Sequence, residues 1–227
     1  PENEVANENL DGAWLDIVEG KGMGQLRQIV RREGNQIEID RPWRCPPDET
    51  SNVVFTAPAP FRNLTIVDNR IVSQAVNLIA WGMSRETIID GNYVSEGPGI
   101  MIFSVRLAPD QKVWGGAYYT TVMNNVADGC RMAPGIGNIL GSHENAPQDG
   151  YDWLGFIIRD NFCVNNSHIE FRKQFDPSRK PHTESCEAGV LVEDNLVADS
   201  VQGIIIGEGA RAVERQNTFR NVEKRHG

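Results

Sequence analysis

The chain has 227 residues, 40% hydrophobic and 23% charged, an ordinary globular composition that excludes a disordered polymer. No apolar run approaches the length of a membrane-spanning helix, so a transmembrane helix is excluded and no membrane partner is expected. A net charge of −9, from 31 acidic against 22 basic residues, argues against a general nucleic-acid-binding face.

Taken in chain order, the first twelve residues are polar and acidic (Glu2, Glu4, Glu8, Asp11). Gly20, Gly22 and Gly24 follow at a spacing that superficially suggests a dinucleotide loop. The residues after them alternate as a strand, so no helix N-terminus is available to hold a phosphate and no nucleotide cofactor is expected. Gln25 to Val30 and Gln36 to Asp40 alternate on either side of Arg32-Glu33-Gly34-Asn35, which predicts a hairpin. Pro42-Trp43 and Pro46-Pro47-Asp48 then break regular structure. Residues 1–60 therefore read as an amino-terminal arm and β-hairpin.

From residue 61 to 227 one pattern recurs: apolar, any, apolar, two residues, Asn, any, apolar. It runs Leu64-x-Ile66-x-x-Asn69-x-Ile71, then through Asn92, Asn125, Asn161 and Asn195, with a degraded copy at Asn217 where Glu214 takes an apolar slot. Period-two alternation marks strands with one buried face. Short second strands follow, as in Gly99 to Ile102, His168 to Phe171 and Gly203 to Ile206. No helical stripe appears. The predicted fold is all-β, a right-handed parallel β-helix (a solenoid) preceded by the hairpin and extended arm. Its inward positions are 64, 66, 71, 89, 94, 122, 156, 158, 190, 192 and 197. The Asn column is expected to take the left-handed backbone of a turn and to stack amide on amide between coils.

The Asn-to-Asn spacings are 23, 33, 36, 34 and 22. The three middle coils thus carry extra residues, which strand registration puts at one corner as long loops over 104–118, 133–154 and 172–188. Loops at one corner of adjacent coils stand side by side and form a wall. The four cysteines, Cys45, Cys130, Cys163 and Cys186, lack metal-ligand spacing and read mainly as small buried hydrophobes; no metal site is expected from them.

Gly20-Lys21-Gly22-Met23-Gly24-Gln25-Leu26-Arg27, with Arg41-Pro42-Trp43 and Pro47-Asp48-Glu49-Thr50-Ser51 downstream, resembles a segment of large bacterial right-handed parallel β-helix repeat proteins of the pectate-lyase-like superfamily. Phe61-Arg62-Asn63 and the Asn-spaced coils fit the same resemblance. It implies a carboxy-terminal portion of such a protein, an extracellular or cell-surface location and a carbohydrate partner.

The loops hold the candidate chemistry. Arg106, Trp114, Trp153, Arg179 and Lys180 would bind an acidic polysaccharide, cations pairing carboxylates and indoles stacking on sugar rings. Cleavage would need either a base beside a uronate, for which His143 and His182 are candidates, or a carboxyl pair, for which Asp149 and Asp152 are. A lyase would also need cations or Ca²⁺ on the developing charge. The expected function is binding, with cleavage as a polysaccharide lyase or glycoside hydrolase left open; the alternative is a non-catalytic structural, adhesive or fibre-forming segment. The acidic amino-terminal residues make a poor lid, so the amino-terminal end is expected to bury against another chain, either an upstream β-helix portion or a second copy.

Overall fold

The computed structural model describes residues 10–34, 36–56, 61–73, 77–81, 84–103, 105–106, 114–130, 135–141, 153–173, 187–206 and 210–226. Among them there is no helix, and every regular element is a strand. The predicted all-β class therefore stands.

The amino-terminal sixty residues build more than an arm. Leu26–Glu33 and Gln36–Ile39 form the expected antiparallel hairpin, with Gly34 in the left-handed region (φ 57°) at its turn. Trp14–Glu19 lies between that hairpin and Asn52–Thr56, pairing antiparallel with both. Leu10, Ala13, Leu15 and Ile29 form a small core of their own, so the acidic start of the chain ends in a buried leucine. The predicted extended arm is thus a sheet. Two short strands of the first long loop, Val105–Arg106 and Trp114–Gly115, extend it, because Trp114 registers with Thr56.

The rest of the chain visits three parallel ladders in turn. One stacks Thr65–Val67, Ser84–Asp90, Ala117–Met123, Ile157–Arg159, Glu187–Glu193 and Ala210–Arg215. The next stacks Arg70–Val72, Tyr93–Ser95, Val126–Asp128 and Phe162–Val164. The third stacks Leu78–Trp81, Gly99–Phe103, Gly135–Gly141 and His168–Lys173. Leu196–Ile206 and Thr218–His226 run through both of these ladders at the carboxyl end.

Chain direction changes at stacked left-handed residues, spaced five apart within each repeat. One column is Asn63, Glu86, Tyr119, Gly155 and Gly189; the second is Asp68, Gly91, Asn124, Asp160, Asp194 and Gln216; the third is Glu96, Gly129, Asn165, Asp199 and Asn221, all with φ between 51° and 69°. This corrects one expectation. The repeated Asn does not itself take the left-handed turn; the residue before it does. Asn, Asp and Gly dominate these columns because they meet the smallest penalty there.

Freed from the turn, the Asn column makes the expected ladder. The Nδ2 of Asn69, Asn92, Asn125, Asn161 and Asn195 each donates to Oδ1 of the next rung, ending at Asn217, over 2.9–3.0 Å. The backbone N–H of each donor residue reaches the same Oδ1. Asn92, Asn125, Asn161 and Asn195 are buried, so these bonds satisfy groups that water cannot reach.

Beside the ladder, apolar side chains stack in register: Ile66, Ile89, Val122, Ile158 and Val192 in one column, Ile71, Val94, Ala127, Cys163 and Val197 in another. Of the predicted inward positions, 89, 94, 122, 156, 158, 190, 192 and 197 are buried, whereas Leu64, Ile66 and Ile71 of the first coil are half-buried. Replacing Asn125 by Leu removes the acceptor of the buried Asn92 backbone N–H and one acceptor of its side-chain amide, and leaves Asn161 Oδ1 with only the backbone N–H of residue 125. The expected cost is on the order of 3 kcal/mol in urea unfolding, against about 1 kcal/mol or less for Asn217→Leu at the end of the ladder.

Candidate functional site

The three long connections have a shared origin in the fold. Each leaves the third ladder from one of three neighbouring strands, Gly99–Phe103, Gly135–Gly141 and His168–Lys173. Each returns to the first ladder at one of three neighbouring strands, beginning at Ala117, Trp153 and Glu187. Their bounds differ from those expected from the sequence. Residues 135–141 belong to the third ladder rather than to the second loop, that ladder holds the chain to Lys173, and the first ladder resumes by Ala117.

Of the predicted binding residues, Arg106 and Trp114 are brought together as register partners of the ribbon that extends the amino-terminal sheet. Trp153 registers with Ala117, on the strand that follows this ribbon. His143, Asp149, Asp152, Arg179, Lys180 and His182 lie outside the described residues.

What holds the amino-terminal sheet against the first ladder at this flank is a buried ion pair that the sequence reading missed. Asp16, from the middle strand of that sheet, meets the Arg85 guanidinium through both carboxylate oxygens, and both residues are essentially inaccessible. Thr56 Oγ1 accepts from Arg85 at 2.7 Å, and the guanidinium lies 5.2 Å from the centre of the Tyr118 ring. Val18, Tyr118 and Leu154 pack beside the pair, with Val54 and Tyr119 against them. The available signal was Asp16 itself, a carboxylate inside the apolar run Trp14-Leu15-Asp16-Ile17-Val18, where only a partner makes a buried charge tolerable.

A second feature is an open groove of about 380 Å³ along the third corner, lined by Tyr93, Ser95, Glu96, Asp128, Asn165 and Asn166, together with Gly129 and Cys130. Tyr93 donates to Asp128 Oδ2 at 2.8 Å, and Asn165 Nδ2 to Oδ1 at 2.7 Å, so both carboxylate oxygens are engaged. The bond to Asp128 raises the Tyr93 hydroxyl above its ordinary range. Burial does the same to the Cys130 thiol, which stays protonated. Cys163 is fully buried and also raised by burial. These groups offer polar recognition rather than an activated nucleophile. Among the described residues, no cluster of three His, Cys, Asp or Glu side chains is placed to hold a metal. No helix among them is long and apolar enough to cross a membrane.

Searches against protein families, curated proteins and solved structures find no match to this chain.

Two outcomes test the flank. Arg85→Met leaves the Asp16 carboxylate buried without its partner, and a loss of about 3–5 kcal/mol is expected in chemical denaturation. The Tyr119 hydroxyl is buried with no hydrogen-bond partner among the described residues, and burial pushes it up to about 12 from 10.0. Between those values the unfolded chain loses a proton that the folded chain keeps, so stability falls as pH rises through that window. Tyr119→Phe is expected to raise stability at neutral pH by about 1 kcal/mol and to reduce the slope between pH 10 and 12 in a thermal-melting series.

Proposed function

We propose that the three ladders close into a right-handed parallel β-helix, and that this solenoid binds an acidic polysaccharide on the flank where the three long connections leave and return. The carrying observation is that adjacency: three neighbouring strands launch the connections and three neighbouring strands receive them. Right-handedness follows from the general rule for parallel crossovers. A surface built from successive coils suits a ligand that is itself an extended repeat.

On this reading Arg179 and Lys180 supply cations for carboxylates, joined by Arg106, and Trp114 and Trp153 supply flat apolar faces for sugar rings. Cleavage, as a lyase or a hydrolase, would draw on His143 and His182 or on Asp149 and Asp152. Ca²⁺ is the cation such a lyase would recruit. The location that fits this role is outside the cell or at its surface.

Titration calorimetry with polygalacturonate and alginate, against neutral dextran, tests the proposal. Saturable binding of the acidic polymers is expected, weakening with salt, with a shallower salt dependence for the paired Arg179→Ala and Lys180→Ala variant. His143→Ala and His182→Ala are expected to weaken binding or turnover while leaving the melting temperature unchanged. Absence of saturable binding to any acidic polymer would overturn it.

A further inference from the structure

The third-corner groove holds groups that none of the roles above uses. Its column of left-handed residues places Glu96, Gly129 and Asn165 on three successive repeats, because Ser95, Asp128 and Val164 just before them are register partners. Gly129 has no side chain, and a Cβ built there would meet only the Asn165 carbonyl oxygen, at 3.9 Å. The middle position is therefore a notch. Two strand spacings, about 10 Å, separate the residues on either side of it, enough to admit one sugar ring.

The groups around the notch are held in fixed orientations. Asp128 uses one carboxylate oxygen on the Tyr93 hydroxyl and the other on Asn165 Nδ2. The Arg70 guanidinium lies 5.0 Å from the centre of the Tyr93 ring. These contacts also settle which way the two amides point. Asn165 gives its N–H to Asp128, which leaves Oδ1 as an acceptor. Asn166 Oδ1 accepts the Val201 N–H at 3.3 Å, which leaves Nδ2 as a donor. Glu96 is exposed, and its carboxylate has no hydrogen-bond or ionic partner among the described residues. The notch thus has an unengaged carboxylate on one side and an oriented acceptor and donor on the other.

The geometry points to a binding site for a neutral saccharide in this notch, with Glu96 accepting from its hydroxyls and Asn165 and Asn166 pairing the opposite edge. One carboxylate can accept from two adjacent hydroxyls at once, and a hydroxyl both donates and accepts, which suits the mixed amide edge. Anionic ligands are disfavoured, because the charged groups lining the groove, Glu96 and Asp128, are both acidic. A cation is disfavoured as well: Asp128 already serves two neutral donors, and Asn166 presents N–H. Groups pinned before the ligand arrives cost little ordering on binding. The notch lies between the second and third ladders, away from the flank of the long connections, and stands independently of the acidic-polymer reading.

Amide NMR on the full chain in EDTA tests the site, with cellotetraose, xylotetraose and mannotetraose as probes. Saturable shifts at the backbone amides of Gly129, Asn165 and Asn166 are expected with at least one of them. Gly129→Asn fills the notch with a residue type that the same column already carries in the left-handed region at Asn165 and Asn221. Binding is expected to be lost in that variant with the melting temperature unchanged. Glu96→Gln and Asn166→Ala, both at exposed positions, are each expected to weaken binding about tenfold, and they serve if Gly129→Asn does not fold. Absence of saturable shifts with all three probes, or binding that persists in folded Gly129→Asn, would overturn the site. The same shifts produced by calcium chloride without EDTA or saccharide would overturn it in favour of a cation site. Their appearance with polygalacturonate would overturn it in favour of an extension of the acidic-polymer surface.

Discussion

Parallel strands of equal pitch have little intrinsic reason to choose one register over another two residues away, since both keep the same face inward. The Asn ladder removes that freedom. Each rung's Oδ1 receives the side-chain and main-chain N–H groups of the rung before it, inside a stack where an unpaired amide has no water to turn to. A slip of two residues would break both bonds at every buried rung at once. The apolar columns, the corners and the flanking connections all inherit their alignment from this line of amides.

The corners convert that alignment into shape. Left-handed residues recur every five positions, so each repeat gives the first two ladders short strands of constant length before the chain enters the third. Variation in coil length falls after that point, where strands 99–103, 135–141 and 168–173 hand the chain to the long connections. The amino-terminal sheet then uses this same flank as its support. Asp16 and Arg85 bind it there with a buried charge pair whose value lies in orientation: two hydrogen bonds from one planar group fix both distance and angle.

Much of this was legible in the residues. The recurrence of Asn between alternating apolar positions revealed the strands, their stacking, the buried columns and the amide ladder. What it hid was the division of labour at the turn. The residues preceding each rung, Asp68, Gly91, Asn124, Asp160, Asp194 and Gln216, are mostly of the types that accept positive φ, and they form a column as regular as the one beside it. The other two corner columns were harder to see, because Glu86, Glu96 and Tyr119 are there by tertiary constraint against local preference. The strand at Trp14–Glu19 was missed for a related reason. Its burial on both faces erases alternation, leaving a short apolar run interrupted by Asp16 whose partner is far away in sequence. The candidate site was legible only as a placement, since registration shows where connections leave and arrive but not how their side chains converge.

The five-residue corner spacing also divides the chain into stretches that tolerate change very differently. One residue added between two corners of a coil would turn every following side chain to the opposite face until the next corner, ejecting a column member and pulling an Asn off the ladder. A residue added between the third ladder and the start of the next strand of the first ladder leaves all three parallel ladders in register. Mutation by insertion and deletion is therefore channelled: the frame is held rigid by its arithmetic, while one segment per coil is left to lengthen, shorten or diversify. Novel surfaces can arise there, coil after coil, without the scaffold having to be solved again.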